Sequence, residues 1–149
     1  MEKMKIYFGG SIRAGRDDQV IYHQLIQGLQ GYGTVLTEHV GVPELTQWGD
    51  DGPSDQMIYQ RDMAWLAEAS LMVAEVTIPS LGVGYEIGQA EARGIPVLCL
   101  YREQDGRKLS AMIAGNPKVT VAEYSTVEEA LVYIGRFISK YSAALPQGG

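Results

Sequence analysis

A single carboxylate stands inside a glycine-rich segment of the chain, VTIPSLGVGYEIGQA, which covers residues 76–90. The segment holds Gly82, Gly84 and Gly88, and its one acid is Glu86. It connects an apolar run to a helical pattern, which predicts a turn from a strand into a helix. The pattern places Glu86 in the first turn of that helix, where backbone amides and the helix dipole lower a carboxyl pKa. We therefore expect an ionised Glu86 that acts either as a nucleophile or as a helix-capping residue.

A second carboxylate, Asp62, lies on or beside the apolar stripe of a helix. The apolar residues of SDQMIYQRDMAWLAEA recur at helical spacing together with Asp62. A carboxylate that faces a core is costly without partners, and burial raises its pKa toward that of a general acid. Asp62 is therefore either an acid–base group or a surface aspartate at the edge of the stripe, paired with Arg61 or a neighbour.

The segment FGGSIRAGR follows the first predicted strand and indicates an anion site. Its glycines allow close approach of a ligand, and the amides at the next helix start favour an anion. Arg13 and Arg16 add donors suited to phosphate. The segment matches neither the Walker loop nor G-x-G-x-x-G. The alternative is a tight turn with two solvated arginines.

Other polar residues favour structural roles. Glu75 ends the third strand and is expected to bind loop amides, with a second acid or a sugar ligand as the alternative. His39 is expected to end the second strand, but two histidines and no cysteine cluster give no metal spacing, so no metal is expected. Cys99 lies in an apolar run and reads as a small buried hydrophobe. Trp48 reads as a packing residue of a long loop rather than a base-stacking one.

Composition excludes several classes of protein. The chain has 149 residues, 46% of them hydrophobic, which fits one globular domain over residues 1–149 with a frayed tail at 142–149. A net charge of −6 argues against nucleic-acid binding. The single cysteine suits a reducing compartment, and no segment resembles a signal peptide or membrane span, so we expect a cytoplasmic protein.

Strands and helices alternate along the sequence. Five strands are predicted at residues 5–9, 34–37, 71–76, 96–101 and 118–124, and a loop at 40–54. Helices are predicted at about 17–32, from Ser54 or Asp55 to Ala69, at about 84–93, at 108–115 and at 125–141, the last with a capping box of Ser125 and Glu128. This order predicts a doubly wound α/β fold, a five-stranded parallel sheet with helices on both faces. If strands one and three are neighbours, the two glycine-rich loops share one crevice.

Four segments together resemble one family: YFGGSIRAGR, GTVLTEHV, VAEVTIPSLGVGYEIG and LSAMI. They are similar to the 2'-deoxynucleoside 5'-phosphate N-hydrolases, of the nucleoside 2-deoxyribosyltransferase superfamily. The likeness runs from about Lys5 to Ile113. It implies a flavodoxin-like, Rossmann-like fold and an N-glycosidase without a cofactor. The expected reaction converts a deoxynucleoside monophosphate into free base and 2-deoxyribose 5-phosphate.

The resemblance also implies roles for individual residues. Glu86 matches the nucleophile, Asp62 the acid–base and orienting carboxylate, and Tyr7 the tyrosine beside the nucleophile and the sugar's C2' edge. Tyr7 favours deoxyribose over ribose as the sugar of the substrate, because some relatives that accept ribonucleotides carry phenylalanine at this position. Substrate contacts are expected from three segments: Gly10, Ser11, Ile12, Arg13, Ala14, Gly15 and Arg16; Ser80 and Gly82; and Ser110, Ala111 and Met112. In relatives the last segment reaches across a homodimer interface into the neighbour's site.

Several alternatives stay open at this point. A nucleoside deoxyribosyltransferase would hand the sugar to a second base, although Arg13, Ser80 and Ser110 suit a phosphate better than a free 5'-hydroxyl. A ribonucleoside monophosphate hydrolase would prefer the 2'-hydroxyl form. A non-catalytic nucleotide sensor would keep the glycines and arginines without needing Glu86 and Asp62. Retaining hydrolysis requires those two carboxyl groups roughly 5 Å apart.

Overall fold

The structure is a computed structural model that describes residues 4–39, 52–104 and 106–142. Within these ranges the strands are β1 (Met4–Gly9), β2 (Gly33–Leu36), β3 (Leu71–Glu75), β4 (Val97–Tyr101) and β5 (Val119–Glu123). The helices are α1 (Arg16–Gln30), α2 (Asp55–Glu68), α3 (Leu81–Ala92), α4 (Ala111–Ala114) and α5 (Val127–Ser142). No helix of the described ranges has both the length and the apolar character needed to cross a bilayer.

The five strands form one parallel sheet in the order β2-β1-β3-β4-β5. This order confirms the predicted doubly wound fold, and it meets the condition that β1 lies beside β3. The winding reverses between these two strands, so the loops that follow them meet at the carboxyl edge of the sheet. The fold thereby brings the two glycine-rich segments of the sequence to one crevice.

Alternate residues of the strands face two separate cores. Ile6 and Phe8 of β1 pack with α1 and α5 on one face of the sheet. Tyr7 points to the other face and packs with Leu66 of α2 and Val83 of α3. Strand side chains alternate between the two faces of a sheet, so this division follows from the sequence of β1 itself. The carboxyl groups described below lie on the α2–α3 face.

Two predicted helix starts are wrong. Helix α3 begins at Leu81, three residues before the predicted Gly84, because the Ser80 side chain accepts a hydrogen bond from the Val83 amide and caps the helix. Helix α5 is capped by Thr126, which accepts from the Glu129 amide, rather than by the predicted Ser125 and Glu128. The α5 shift is a choice between the neighbouring Ser125 and Thr126, whereas the α3 shift comes from a serine cap that lies before the predicted start. Sequence spacing alone resolves neither.

Other expected boundaries need smaller changes or lie outside the described residues. Strand β2 ends at Leu36, so His39 lies three residues beyond it rather than at its end. Ser142 is the last residue of α5 and does not belong to the predicted frayed tail. The remaining tail, 143–149, and most of the predicted loop, 40–51 with Trp48, lie outside the described residues.

Candidate active site

Glu86 lies in the middle of α3, with its carboxyl group against the end of β1. The glycines around it permit this approach: a Cβ added at Gly9 would lie 3.4 Å from Glu86 Oε2, and one at Gly82 would lie 3.9 Å from Oε1. Only 8% of the Glu86 surface is exposed. The glycines therefore leave room for an acid that the strand end and the first turn of α3 enclose.

Glu86 belongs to a cluster of three carboxyl groups. One carboxylate oxygen from each of Glu38, Asp62 and Glu86 lies within 4.8 Å of the others. Each residue comes from a different element: Glu38 follows β2, Asp62 lies on α2, and Glu86 lies on α3. The structure thus brings Asp62 and Glu86 together at the separation expected for a retaining hydrolase, and it adds Glu38.

Burial dominates the electrostatics of Glu86. It raises the pKa of Glu86 to about 7, the Tyr7 hydroxyl lowers this pKa, and the charges of Asp62 and Glu38 raise it. The expectation that the helix dipole keeps Glu86 ionised is therefore wrong. Because α3 starts at Leu81, Glu86 lies beyond the first turn, and the dipole effect fades within that turn.

Asp62 and Glu38 are held by one cation, Arg61. Arg61 Nε donates to Asp62 Oδ1 at 3.0 Å, and Arg61 Nη2 lies 3.3 Å from Glu38 Oε2. Burial raises the pKa of Asp62, and Arg61 works in the opposite direction. Burial also raises the pKa of Glu38, with a further rise from Asp62 that Arg61 opposes. The pairing with Arg61 is as expected, but Asp62 is buried and not a surface residue, and its acid–base role stays a prediction.

Carboxylate oxygens are the ligands that hard divalent cations prefer, so the cluster has suitable donors for such an ion. Two of its three members already share the guanidinium of Arg61. The cluster therefore carries a counter-charge of its own from α2.

Tyr7 lies at the inner side of the cluster. Burial raises the pKa of the Tyr7 phenol, and the neighbouring Glu86 and Asp62 charges raise it further, so the hydroxyl stays protonated. It is 2% exposed and interacts with the Glu86 carboxyl group. The placement agrees with the position that the family resemblance implies for Tyr7 beside Glu86.

A small cavity of about 220 Å³ opens over the cluster. Two exposed tyrosines stand at it, Tyr59 on α2 and Tyr85 on α3, with their hydroxyl oxygens 3.4 Å apart and ring centroids 6.3 Å apart. The remaining lining residues are Asp55, Ile58, Asp62, Met63, Gly82 and Glu86. Aromatic faces beside two carboxyl groups suit a ring system attached to a sugar.

The predicted anion loop lies between β1 and α1. Ser11 is buried and accepts a hydrogen bond from the Arg13 amide at 3.2 Å. Gly10 packs against the Tyr22 ring so closely that an added Cβ would lie 3.0 Å from it. Ile12, Arg13, Gly15 and Arg16 are exposed, and Ala14 is half-buried. The loop therefore holds a fixed inner part and an outer part that solvent reaches.

The other predicted substrate residues divide between two cavities. Gly82 lines the small cavity over the carboxyl cluster. Ser80 and Ser110 line a larger one of about 930 Å³, together with Leu81 and Met112. Ser110 caps α4 through the Met112 amide, and Ala111 and Met112 are exposed. Within one chain, the structure does not bring the Ser110 segment into the cavity that holds Glu86.

Glu75, His39 and Cys99 have structural surroundings. Glu75 accepts from the Thr77 amide at 2.7 Å and from the Thr77 hydroxyl at 2.8 Å, which agrees with the expected loop-binding role. His39 Nε2 lies 2.8 Å from the Gly10 carbonyl oxygen, and burial lowers the His39 pKa. Cys99 is buried, and burial raises its pKa to about 12, as expected of an unreactive thiol.

Comparisons with known proteins identify the family of this chain. The family model "Nucleoside 2-deoxyribosyltransferase" matches residues 6–128. The chain belongs to this family. Among its relatives, the mouse 5-hydroxymethyl-dUMP N-hydrolase is 50% identical over 147 residues, which cover 96% of this chain and 83% of the relative. The protein of the same name from zebrafish (Danio rerio) is 50% identical over 128 residues, 84% of this chain and 90% of the relative.

Solved structures of low sequence identity confirm the fold of this family member. A CMP N-glycosidase from Clostridium botulinum superposes with a TM-score of 0.64 at 18% identity, covering 89% of this chain and 98% of that one. A 2-deoxyribosyltransferase from Bacillus psychrosaccharolyticus gives a TM-score of 0.63 at 16% identity, covering 89% and 95%. The family model and the relatives at 50% identity confirm the resemblance found in the sequence motifs.

Sequence reasoning missed Glu38, Tyr59 and Tyr85. Glu38 lies inside the segment GTVLTEHV, which carried part of the resemblance, and it follows a strand whose end lies beside that of β1. That position was a usable signal, because the carboxyl ends of adjacent parallel strands meet at one edge. No comparable signal marks Tyr59 and Tyr85, since their approach depends on how α2 packs on α3.

Proposed function

We propose that this protein hydrolyses the N-glycosidic bond of 2'-deoxynucleoside 5'-monophosphates, releasing free base and 2-deoxyribose 5-phosphate. One observation carries the proposal: the Glu86 and Asp62 carboxyl groups lie within 4.8 Å of each other, and Glu86 lies against the end of β1, where the loop predicted to bind an anion begins. Relatives at 50% identity that are named as N-hydrolases of such a nucleotide support it. The enzyme is thus proposed as an N-glycosidase that needs no cofactor.

In the first step, ionised Glu86 attacks C1' of the sugar. The C1'–O bond to Glu86 forms, the C1'–N bond breaks with its electron pair moving to the base, and the base takes a proton from Asp62. Burial raises the pKa values of both carboxyl groups, which favours retention of a proton that the cluster can share. Positive charge that builds on the sugar ring is stabilised by the anionic cluster.

In the second step, water replaces Glu86 at C1'. It attacks from the face that the base has left, gives a proton to Asp62, and the C1'–O bond to Glu86 breaks. Glu86 and Asp62 return to their starting forms, and the sugar retains its configuration at C1'. Tyr7, which interacts with Glu86 from β1, keeps the nucleophile oriented toward C1' and lies beside the C2' edge of the sugar.

The phosphate binds away from the reacting carbon. We assign it to the loop Gly10–Arg16, where Ser11 and Arg13 shape the turn, and to Ser80 and Gly82 at the start of α3. Helix N-termini bind anions through free amides, and guanidinium groups add charge-assisted hydrogen bonds. Binding energy from the phosphate then supports chemistry at C1', so unphosphorylated deoxynucleosides should be poor substrates.

A panel of nucleotides tests this function. Purified protein is incubated with deoxyribonucleoside monophosphates, including 5-hydroxymethyl-dUMP, with their ribonucleotide counterparts and with deoxynucleosides, and released base is measured by chromatography. We expect release from deoxynucleotides above all. Transfer of deoxyribose to an added second base would instead indicate a transferase, and binding without any release would indicate a sensor.

We further propose that the active form is a homodimer in which the Ser110 segment completes the neighbour's site. Two observations support this: Ser110 lines a cavity apart from Glu86 in its own chain, and large apolar side chains flank that cavity with their surface exposed. Leu81 is 97% exposed and Met112 is 79% exposed. A second copy of the chain would bury this apolar surface.

Mixing of variants tests the shared site. Glu86→Gln and Ser110→Ala each impair both sites of a homodimer, whereas a mixed dimer keeps one intact site. Activity that reappears after subunit exchange supports the proposal. A monomer in sedimentation experiments, or no recovery in dimers shown to have exchanged, contradicts it while leaving the hydrolase activity itself untouched.

A further inference from the structure

Arg61 contacts two of the three carboxyl groups in the site. Its Nε donates to Asp62 Oδ1 at 3.0 Å, and its Nη2 lies 3.3 Å from Glu38 Oε2. The Arg61 side chain keeps 30% of its surface exposed, while that of Asp62 keeps 9%. The guanidinium therefore closes the outer side of a cluster whose inner side is buried.

A neighbouring aromatic ring fixes the orientation of this guanidinium. The Arg61 Cζ atom lies 4.7 Å from the centroid of Trp65, one turn further along α2. Residues four apart on a helix share a face, and a stacked guanidinium loses less freedom when it binds carboxylates. Arg61 is therefore held in place by its own helix and does not depend on substrate for its position.

We propose that Arg61 is a positioning residue of the active site, which holds Glu38 and Asp62 together and thereby sets how many protons the three carboxyl groups carry. The inference rests on the proposed function, because the proton count matters through the acid–base work assigned to Asp62 and Glu86. Arg61 itself is not proposed to touch the reacting atoms.

The charge balance of the cluster gives the physical reason. In the described part of the chain, the titratable groups that form or contact the cluster are Tyr7 from β1, Glu38 and His39 after β2, Arg61 and Asp62 from α2, and Glu86 from α3. Asp55, Tyr59 and Tyr85 line the cavity over it. Tyr7 stays neutral, and burial lowers the His39 pKa, which favours the neutral ring. Arg61 is therefore the cation that offsets mutual repulsion among three carboxyl groups within 4.8 Å.

Loss of the Arg61 charge moves the pKa values of the carboxyl cluster in one direction. Removing a positive charge makes the cluster retain each proton to a higher pH. The acidic limb of the profile of kcat/KM against pH, where the cluster loses its second proton, then moves to higher pH. The alkaline limb, where it loses its last proton, moves in the same direction. The whole profile therefore moves to higher pH, instead of only losing height.

Three variants test this inference. Arg61→Gln removes the charge, Arg61→Lys keeps it, and Arg136→Gln makes the same charge change at an exposed site on α5, on the opposite face of the sheet. Release of base from the best deoxynucleotide is measured from pH 5 to pH 10. We expect an upward shift of about one pH unit for Arg61→Gln, since an opposite charge this close moves a pKa by roughly that amount or more. The Lys and Arg136 variants should stay within about 0.3 unit of the wild type.

An unshifted profile in folded Arg61→Gln overturns the inference, whatever its maximal rate. If that variant does not fold, Arg61→Met, which keeps an apolar stem against Trp65, is measured in the same way. Thermal unfolding from pH 4 to pH 8 tests the same inference without an activity assay. The melting temperature of the variant should fall further below that of the wild type as pH rises, because the carboxylates then ionise without the Arg61 charge. If the wild type releases no base, the proposed function is refuted. The melting temperatures still decide whether Arg61 sets the protonation of the cluster.

Discussion

Two buried glutamates at the same edge of the sheet have opposite surroundings. Glu75, at the end of β3, is fully buried and accepts hydrogen bonds from Thr77 and Tyr124, with Arg102 Nε 3.5 Å away. Glu86, on α3, is 8% exposed and faces two further carboxyl groups and one phenol. Donors surround the first carboxylate, whereas acceptors surround much of the second.

The different surroundings indicate that Glu75 is a structural carboxylate and Glu86 a reactive one. A buried carboxylate whose lone pairs are satisfied contributes to a fixed local structure, and Glu75 ties the loop after β3 to β5 and to Arg102. A buried carboxylate among other acids costs stability, and such groups are retained mainly where chemistry uses them. Burial alone therefore does not distinguish the two roles, whereas the partners of each carboxylate do.

The largest expected effect follows from removing the charge of Glu86. Glu86→Gln keeps the size of the side chain but cannot bond to C1' as a carboxylate, so we expect base release to fall on the order of 10³-fold or more. Initial rates with a deoxynucleotide measure it, and circular dichroism checks folding. The matched control is Glu91→Gln on the same helix, which should keep near wild-type activity. Full activity of Glu86→Gln would exclude Glu86 as nucleophile.

The same substitution at Glu75 should affect stability instead. Glu75→Gln places an amide against the Thr77 and Tyr124 hydroxyls and leaves Arg102 with a weaker partner, which costs about 2–4 kcal/mol of unfolding free energy. Urea unfolding measures the loss, and Glu123→Gln, exposed at the end of β5, serves as the control. The folded fraction of Glu75→Gln should retain most of its activity. A stable variant without activity would reverse the two assignments.

The fold and the meeting of Glu86 with Asp62 were predictable from sequence for topological reasons. Alternating strands and helices allow few parallel arrangements, and placing β1 beside β3 brings the loop of Glu86 to the crevice. Glu38 was missed although its position after β2 was a usable signal, because sequence spacing does not show how the chain turns there to bring the carboxyl group to the cluster. The role that each carboxyl group plays in catalysis stays a prediction.

The electrostatic error at Glu86 has a local cause. The serine at position 80 caps α3 and moves its first turn three residues toward the N-terminus, which leaves Glu86 beyond the free amides. Spacing in GVGYEIG shows a helix but not which residue begins it. A shift of less than one turn thus changes the expected pKa from lowered to raised, since burial then dominates.

The dependence of stability on pH tests the raised pKa of Glu86 without any measurement of activity. The folded-state pKa of Glu86, about 7, lies above its value of 4.5 in an unfolded chain, so the folded state binds more protons between these values. Stability attributable to Glu86 is therefore lost as pH rises through this window. Glu86→Gln should be more stable than wild type at pH 8 by about 1–3 kcal/mol, with the gap closing toward pH 4.5. An equal stability at both pH values in urea unfolding would contradict the raised pKa.

The smallest effect concerns the Tyr7 hydroxyl, which favours the ionised form of Glu86 from inside the core. The Tyr7 hydroxyl lowers the pKa of Glu86, so Tyr7→Phe should raise that pKa further above 7. The acidic limb of kcat/KM against pH then moves upward by roughly half a unit to one unit, and the rate at pH 7 falls about 3- to 10-fold. Above the shifted limb the variant should regain most of the wild-type rate, because the nucleophile itself is intact. A uniform loss across all pH values would instead mean that Tyr7 acts on the sugar rather than on the Glu86 charge, and that the carboxyl cluster sets its ionisation without help from β1.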